Sequence, residues 1–323
     1  MMILDNTKQV NVSVIIPVYN VAEHVFRVIT RLKRQTFRSF EVIIVNDGSI
    51  DDTGKMFQDY LPKSGLIYKY IEIDKGGVSK ARNEALNFVA GEYIIYLDAD
   101  DDFSEQLIDQ YYHTIQKRNT DIEIFPIDMV KKKGKVKRVG YSRNQIIDGK
   151  KCVGLICSLK MPGYVVGHIS KSVLWKNVKF NERLKVQEDL EVLSRLVISK
   201  SSLKIGTNNI SYYTYCASDT TNRHSELSNF GQQYMDVAQS VLQMASNLFD
   251  TDKERNELLE IQLSATMEAI RLNYKASNMP KVESLKKEYH ATLRESCLRV
   301  KPWIKRWVQG MLLRGDVMMK LGL

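Results

Sequence analysis

The sequence lacks the features that mark membrane-spanning, secreted or zinc-binding proteins. No apolar run approaches the roughly 18 to 20 residues that a spanning helix needs. The N-terminus has no basic stretch followed by an apolar one, so it does not resemble a signal peptide. The four cysteines show neither a CxxC pair nor clustered metal-ligand spacing, which argues against a disulfide framework or a zinc site. We therefore expect a cytoplasmic protein.

The sequence has fewer acidic than basic residues. Lys and Arg outnumber Asp and Glu by 47 to 38, which gives a net charge of +9. Such a surplus suits nucleic acid, an anionic membrane surface or simple solubility, so it does not select a partner by itself. Part of it lies near the C-terminus, and another part lies in the basic run Lys131–Arg138, which we interpret as a solvated hairpin tip around Gly134.

The N-terminal third alternates between β-rich runs and segments with helical periodicity. The runs interpreted as strands are Val12–Val18, Phe40–Asp47, Ile67–Ile73 and Gly91–Asp98. After the first strand, apolar residues from Val21 to Leu32 recur at helical spacing, and Asn20 is the predicted N-cap. Strands that alternate with helices imply βαβ crossovers and a mainly parallel sheet. The predicted fold class is therefore α/β.

Two polar clusters come directly after predicted strands, where open α/β sheets bind their ligands. The first contains Asp47, and the second is the acidic run Asp98–Asp102. Four carboxylates within five residues repel one another, and a divalent cation shared with substrate phosphates relieves that repulsion. We therefore assign Asp98 and Asp100 to function.

Each cluster also has a structural interpretation. Asp101 to Glu105 would suit the positive end of a helix dipole, and we favour that interpretation for Asp102. Asp47 alone could simply begin an Asx-turn. Because both clusters are predicted at the same edge of the sheet, we prefer the ligand-binding interpretation for Asp47.

Five motifs in order carry a resemblance to a known family. They are Pro17-Val18-Tyr19-Asn20, Gln35-Thr36, Val45–Thr53, Gly77 with Ala81-Arg82-Asn83, and Gly91–Asp101. Their order and spacing resemble the family 2 inverting glycosyltransferases, over about residues 12–220. The resemblance implies a GT-A fold, which is a nucleotide-sugar-binding α/β sheet, and an enzyme that builds bacterial cell-surface polysaccharides or glycoprotein glycans.

The resemblance also implies roles for single residues on the donor side. Pro17, Val18 and Tyr19 would line the base pocket, and Asp47 would read the uracil edge. Arg82 would lie near the donor and pair with Asp47 or a phosphate. Asp98 and Ala99 would meet the ribose, and Asp100 would bind Mn²⁺ or Mg²⁺.

Further along the chain, Glu188-Asp189 resembles the family's Glu-Asp pair, which makes Asp189 the candidate catalytic base. The alternative is an ordinary exposed helix start. His168 and His224 could touch the diphosphate, and His224 could complete the metal shell. Cys216 stands near the point where the family often has an Arg, and Arg223 could supply that charge instead.

From about Leu227 onward the chain is almost free of Gly and has a helical pattern, which predicts a catalytic domain at residues 1–226 and a helical C-terminal domain at residues 227–323. The donor half would extend to about residue 110 and the acceptor half over 111–226. Near the end, apolar residues from Trp303 to Leu312 repeat at helical spacing among Lys and Arg. This tail would lie on an anionic membrane, on the core or on a second copy, and periodicity does not choose between them.

The implied activity is metal-dependent transfer of a hexose from a UDP-sugar to a hydroxyl of a glycan acceptor. Glucose, galactose and N-acetylglucosamine stay open, as does an acceptor on a lipid carrier or a protein at the inner face of the membrane. A non-catalytic nucleotide- or glycan-binding module is one alternative. Nucleic-acid binding is another, although an Asp-lined cleft repels phosphates. We expect no nucleic-acid partner.

Overall fold

The structure is a computed structural model that describes residues 10–130, 135–141, 143–158, 160–161, 163–200, 202–216, 224–248 and 252–295. The chain divides into two compact units, Met1–Thr220 and Thr221–Leu323. The boundary predicted between residues 226 and 227 lies slightly later, inside a helix that begins at His224. The tail Trp303–Leu312, Arg223 and the centre of the basic run at 131–134 lie outside the described residues.

Four parallel strands form one half of the larger sheet in the first unit. They are β1 (Val12–Val18), β2 (Phe40–Asp47), β3 (Ile67–Ile73) and β4 (Tyr93–Tyr96). β1 lies between β2 and β4 and pairs in parallel with both. Almost every residue of β1 and β2 is buried, which explains the apolar, β-branched run of β1 and the apolar centre of β2 at Val42–Val45. The first three strands were predicted with these bounds, whereas β4 is shorter than the predicted Gly91–Asp98.

The remaining strands complete two sheets. They are β5 (Asp102–Phe103), β6 (Ile122–Ile124), β7 (Ile127–Val130), β8 (Val136–Val139), β9 (Gln145–Ile147), β10 (His168–Lys171), β11 (Ile205–Thr207) and β12 (Tyr213–Cys216). Among the described residues, the larger sheet has the order β3-β2-β1-β4-β10-β6-β11-β9, and the smaller has the order β5-β12-β7-β8. β10 runs antiparallel to β4 and β6. The α/β class with a mainly parallel half-sheet is confirmed.

Six helices belong to the described part of the first unit. They are α1 (Ala22–Lys33), α2 (Thr53–Tyr60), α3 (Val78–Ala85), α4 (Leu107–Arg118), α5 (Gly149–Cys157) and α6 (Glu188–Ile198), with 3-10 turns at Leu61–Lys63, Leu86–Phe88 and Ser172–Trp175. The apolar faces of α1 and α4 pack with β1, β2 and β4 in one core cluster. Residues Val25, Val28, Ile29 and Leu32 recur at helical spacing on α1, and all four are buried.

The start of α1 differs from the predicted cap. Asn20 has a left-handed conformation, with φ 52°, and its side-chain oxygen accepts a hydrogen bond from the Ile50 amide at 2.9 Å. The first helical amide, on Ala22, instead donates to the Asp51 carboxylate at 3.1 Å. The loop after β2 therefore caps α1, because it folds back over the end of β1.

The second unit is helical over its described residues. Its helices are α7 (His224–Ala245), α8 (Asp252–Lys275) and α9 (Met279–Glu295), with a 3-10 turn at Ser246–Leu248. A buried cluster that includes Leu263, Ile270, Val282 and Leu285 joins α8 to α9. The break predicted at Met279-Pro280 is confirmed, because Pro280 is the second residue of α9 and proline is tolerated in a helix's first turn. Within the described part of the chain, every helix is too short or too polar to cross a bilayer.

Candidate active site

The sheet order brings the two predicted polar clusters to the same edge. Asp47 ends β2, and the acidic run Asp98–Asp102 follows β4, while β1 lies between these strands and pairs in parallel with both. Parallel strands end at the same side of a sheet, so both clusters flank the end of β1 at Val18. The sequence-predicted donor residues therefore converge on one place.

Asp47 is held by the loop that precedes α3. Its carboxylate is buried, and its two oxygens accept hydrogen bonds from the amides of Gly76 and Gly77, each at 2.7 Å. Gly77 has φ +98°, a conformation that L side chains rarely adopt, so glycine suits this position. Each carboxylate oxygen has a second lone pair for a ligand. That Asp47 reads a base stays a prediction.

The other residues predicted for the base and ribose pocket differ in exposure. Val18 and Ala99 are both 2 % exposed and belong to the apolar core, so only their backbone could face a ligand. Pro17 is half-buried, and Tyr19 is 36 % exposed. Lys75, which the sequence did not single out, donates to the Tyr19 hydroxyl at 2.6 Å. The Lys75 ammonium also lies over the ring, 4.1 Å from its centroid, so Tyr19 is a fixed ring that is partly accessible at the sheet edge.

The acidic run does not start a helix, so the interpretation that we favoured for Asp102, a residue at the positive end of a helix dipole, is wrong. Asp102–Phe103 is β5, which pairs with β12, and α4 begins only at Leu107. Asp102 instead forms an ion pair with Arg31 at 3.0 Å. The loop is therefore fixed by contacts with α1 and the smaller sheet, since no helix end is present to favour its charges.

Asp101 is a structural carboxylate that the sequence analysis missed. It is 3 % exposed, and it accepts hydrogen bonds from the Tyr213 hydroxyl at 2.5 Å and from the Cys216 amide at 2.8 Å. The same hydroxyl accepts a bond from the Asp98 amide at 3.2 Å. Burial raises the pKa of Asp101 to about 7, against the opposing effect of these hydrogen bonds. Tyr213 therefore joins β12 to both ends of the turn.

This contact gives a stability prediction. Tyr213→Phe should lower the free energy of unfolding by about 1–3 kcal/mol, because a buried carboxylate loses its donor. The loss should be greater at pH 8 than at pH 5, because Asp101 is ionised above its pKa. Urea denaturation at the two pH values measures it. Tyr212→Phe is the matched control, since the Tyr212 hydroxyl makes a longer, half-buried bond to Gln110. Equal losses in both variants would contradict the assignment.

Arg82 is the centre of the charged network. It is 3 % exposed, and its guanidinium contacts Asp189 at 2.6 Å, Asp98 at 3.2 Å and Glu188 at 3.3 Å. Of the two partners expected for Arg82, Asp47 is wrong, because Asp47 is bound by two glycine amides, and a donor phosphate stays a prediction. Arg82 instead connects the acidic run after β4 to the start of α6.

Asp189 lies in the first turn of α6. One of its oxygens accepts a hydrogen bond from the Arg82 guanidinium, and the other accepts one from the Val165 amide at 3.2 Å. Burial raises the pKa of Asp189, Glu188 and Asp98 add to the rise, and Arg82 opposes it. A largely buried carboxyl, 16 % exposed, with a raised pKa beside the candidate donor residues fits a general base.

The two histidines do not join this network. His168 lies on β10, is 7 % exposed and lines a small interior cavity with Ile94, Trp175 and Leu193. Burial lowers its pKa to about 3. A ring enclosed by apolar side chains cannot meet a diphosphate at the surface, so that interpretation of His168 is wrong. The side chain of His224 lies outside the described residues.

Within the described residues, no three His, Cys, Asp or Glu side chains converge on a point that could hold a metal. Asp100 makes no side-chain hydrogen bond to another described residue, and burial together with Asp98 raises its pKa. Such a carboxylate fits a hard cation, because Mg²⁺ is commonly held by one or two carboxylates plus substrate phosphates. The donor set therefore suits a shared cation and does not suit a protein-only centre.

The sheet order and the polar edge define a GT-A-type α/β domain. A crystal structure of TarS from S. aureus superposes with a TM-score of 0.62 over 93 % of this chain and 92 % of that one, at 19 % identity. A complex of TarS with UDP-GlcNAc gives 0.61 at 18 % identity. Residues 13–168 match the family model described as Glycosyl transferase family 2, so the chain carries a domain of this family. This match confirms the predicted family for residues 13–168, and the superposition on TarS confirms the predicted fold.

Curated relatives agree with this assignment. Glycosyltransferase GlyG of Streptococcus pneumoniae is 29 % identical over 113 residues, which is 35 % of this chain and 38 % of GlyG. The minor teichoic acid biosynthesis protein GgaB of Bacillus subtilis is 26 % identical over 262 residues, 78 % of this chain and 28 % of GgaB. The chain thus spans well under half the length of these two relatives.

Proposed function

We propose that this chain transfers a hexose from a UDP-sugar to a hydroxyl of a glycan acceptor, with inversion at the anomeric carbon. The observation that carries the proposal is the ion-pair network Asp98–Arg82–Asp189, in which one buried guanidinium connects the loop after β4 to a largely buried carboxylate on α6. A donor-binding loop and a base must be held at a fixed separation for a single displacement. The TarS complex with UDP-GlcNAc supports a UDP-sugar as the donor class.

On the donor side, different residues at the sheet edge bind different parts of the nucleotide. Tyr19 offers an accessible ring for the base, and Asp47 offers carboxylate lone pairs for a base N–H. Asp98 and the backbone of Ala99 face the ribose. Arg82 forms an ion pair with the Asp98 carboxylate and in this way contributes to donor binding indirectly.

On the acceptor side, Asp189 accepts the proton of the attacking hydroxyl. The acceptor oxygen forms a bond to the anomeric carbon while the bond from that carbon to the diphosphate oxygen breaks, and UDP leaves with the electron pair. Because burial raises the pKa of Asp189, its basicity exceeds that of an ordinary carboxylate. Arg82 binds one oxygen of the Asp189 carboxylate, and its positive charge also offsets the negative charge of Glu188.

Mn²⁺ or Mg²⁺ completes the proposal, with Asp100 as its ligand from this chain. When bound, the cation stabilises the negative charge that develops on the departing diphosphate. The carboxylate of Asp100 would hold that cation, and the hydrogen bond between Tyr213 and Asp101 fixes the turn next to it.

The names of the relatives are the basis for proposing the sugar, the acceptor and the cellular location. GlcNAc is the hexose that the TarS complex suggests, with glucose and galactose as the alternatives. The name of GgaB suggests a teichoic acid or related cell-surface glycan as acceptor, on a lipid carrier or a protein at the inner face of the membrane. The second unit would then serve the acceptor, the membrane or self-association.

A donor screen tests the proposal. UDP-glucose, UDP-galactose and UDP-GlcNAc are each incubated with the protein, with Mn²⁺ and with EDTA, and released UDP is measured. We expect release with one of the three donors in Mn²⁺. No release from any of them, by a protein that is folded and binds UDP, would contradict the proposal.

Asp100→Ala should reduce this turnover by at least about 100-fold, because the charge on the leaving diphosphate would lose its stabilisation. EDTA should have the same effect on the unmutated protein. Asp102→Ala is the matched control, since Asp102 is partly exposed and pairs with Arg31. Full turnover in EDTA would exclude the metal-dependent mechanism.

A further inference from the structure

One face of α1 and the residues just after it contact the acidic loop. Arg27, Arg31 and Gln35 are spaced four residues apart, which places them on one side of a helix. The Arg27 guanidinium donates to the Asp100 carbonyl at 2.7 Å, and Arg31 donates to the Asp102 carboxylate at 3.0 Å. This row therefore follows the loop from its centre towards α4.

Gln35 anchors the far end of the loop. It is fully buried, its amide nitrogen donates to the Ser104 carbonyl at 2.9 Å, and its amide oxygen accepts from the Ile108 amide at 3.1 Å. The Thr36 amide adds a bond to the Glu105 carbonyl at 2.9 Å. The Gln35-Thr36 motif thus fixes the path from β5 into α4, a role that sequence alone did not assign.

Arg27 differs from Arg31 in the atom that it contacts. Arg31 donates a hydrogen bond to a carboxylate, whereas Arg27 donates to a backbone carbonyl. The Asp100 carboxylate therefore has no hydrogen bond to another described residue. The positive charge of Arg27 still lies beside the acidic run and offsets its repulsion. The Arg27 Nε is buried and has no partner among the described residues, so the guanidinium depends on the carbonyl contact.

We propose that Arg27 is a positioning residue that fixes the Asp100 peptide and so directs the Asp100 carboxylate towards a divalent cation. This inference rests on the proposed function, in which Asp100 is the metal ligand of the chain. Arg27 stabilises the acidic loop before the cation arrives, and it does so without occupying the oxygens that the cation needs.

The test uses Arg27→Met, Arg27→Lys and the control Arg34→Met. Arg34 is on the same segment but forms an exposed ion pair with Glu105 at 3.6 Å. Binding of Mn²⁺ in the presence of UDP is measured by the electron paramagnetic resonance signal of free Mn²⁺. UDP affinity in EDTA and the melting temperature are measured alongside.

We expect Arg27→Met to weaken Mn²⁺ binding by about 10-fold or more, as removal of an outer partner of a metal ligand does. UDP affinity in EDTA should not change, and Arg27→Lys should recover part of the metal affinity. Arg34→Met should bind Mn²⁺ like the unmutated protein. If Arg27→Met lowers the melting temperature but leaves the Mn²⁺ affinity unchanged, this inference is wrong and the proposed function is unaffected. If the unmutated protein binds UDP but no Mn²⁺, the metal step of the proposed function fails, and this inference fails with it.

Discussion

Asp189→Asn is expected to slow sugar transfer by roughly 100-fold or more while UDP still binds. The amide keeps the shape of the side chain but cannot accept the proton of the acceptor hydroxyl. It also keeps an oxygen for the Arg82 guanidinium, which lies 2.6 Å from Asp189, so this contact should survive, whereas the hydrogen bond from the Val165 amide to the other oxygen is lost. Single-turnover transfer rates and calorimetric UDP affinities separate the two effects.

Glu188→Gln is the matched control for this variant. Glu188 is the neighbouring carboxylate and contacts the same guanidinium, at 3.3 Å, but the proposal gives it no proton to accept. Its rate should fall far less than that of Asp189→Asn. If UDP affinity falls together with the rate in Asp189→Asn, the residue binds the donor or supports the fold, and another base must be sought.

The pH profile of the unmutated protein supplies an independent check. Asp189 acts as a base only when it is ionised, so the transfer rate should rise with pH through its pKa and then level off. Because burial raises that pKa, the rise should lie above the range of an ordinary carboxyl. Asp189→Asn should lose this limb of the profile.

The sequence predicts the strand positions well because strand burial leaves a local signal. β1 is apolar except at Ser13, β2 has an apolar, β-branched centre at Val42–Val45, and the predicted bounds of both strands match the structure. The same argument places Asp47 and Asp98 at one edge, since parallel order follows from alternation with helices. The start of α1 was missed because its cap comes from Asp51, about thirty residues away in the chain.

The site's electrostatics could not be predicted in the same way. Arg82 meets Asp98 and Asp189 across separations of 16 and 107 residues, and Tyr213 meets Asp101 across 112. Periodicity reports only which face of an element is apolar, so it carries no information on such pairs. The resemblance supplied the residue types at the site, and the structure supplied their partners.

Arg82→Met is expected to lower the free energy of unfolding by about 3–5 kcal/mol, because it leaves three partly buried carboxylates without the buried cation that they share. This is a large part of the roughly 5–15 kcal/mol that a domain usually has. Arg82 is 3 % exposed, so water cannot take its place at Asp189. Chemical denaturation measures the loss, and Arg138→Met, which removes an exposed partner of Asp128, should cost less than about 1 kcal/mol.

Two further variants separate charge from geometry at this position. Arg82→Lys keeps the cation but has one nitrogen in place of the two that contact Asp98 and Asp189, so it should be intermediate in stability. Adding Asp189→Asn to Arg82→Met removes one of the uncompensated charges and should restore part of the lost stability. If the double variant is as unstable as the sum of the two single variants, Arg82 and Asp189 are not energetically coupled. The network that connects the donor loop to the base would then have no energetic basis.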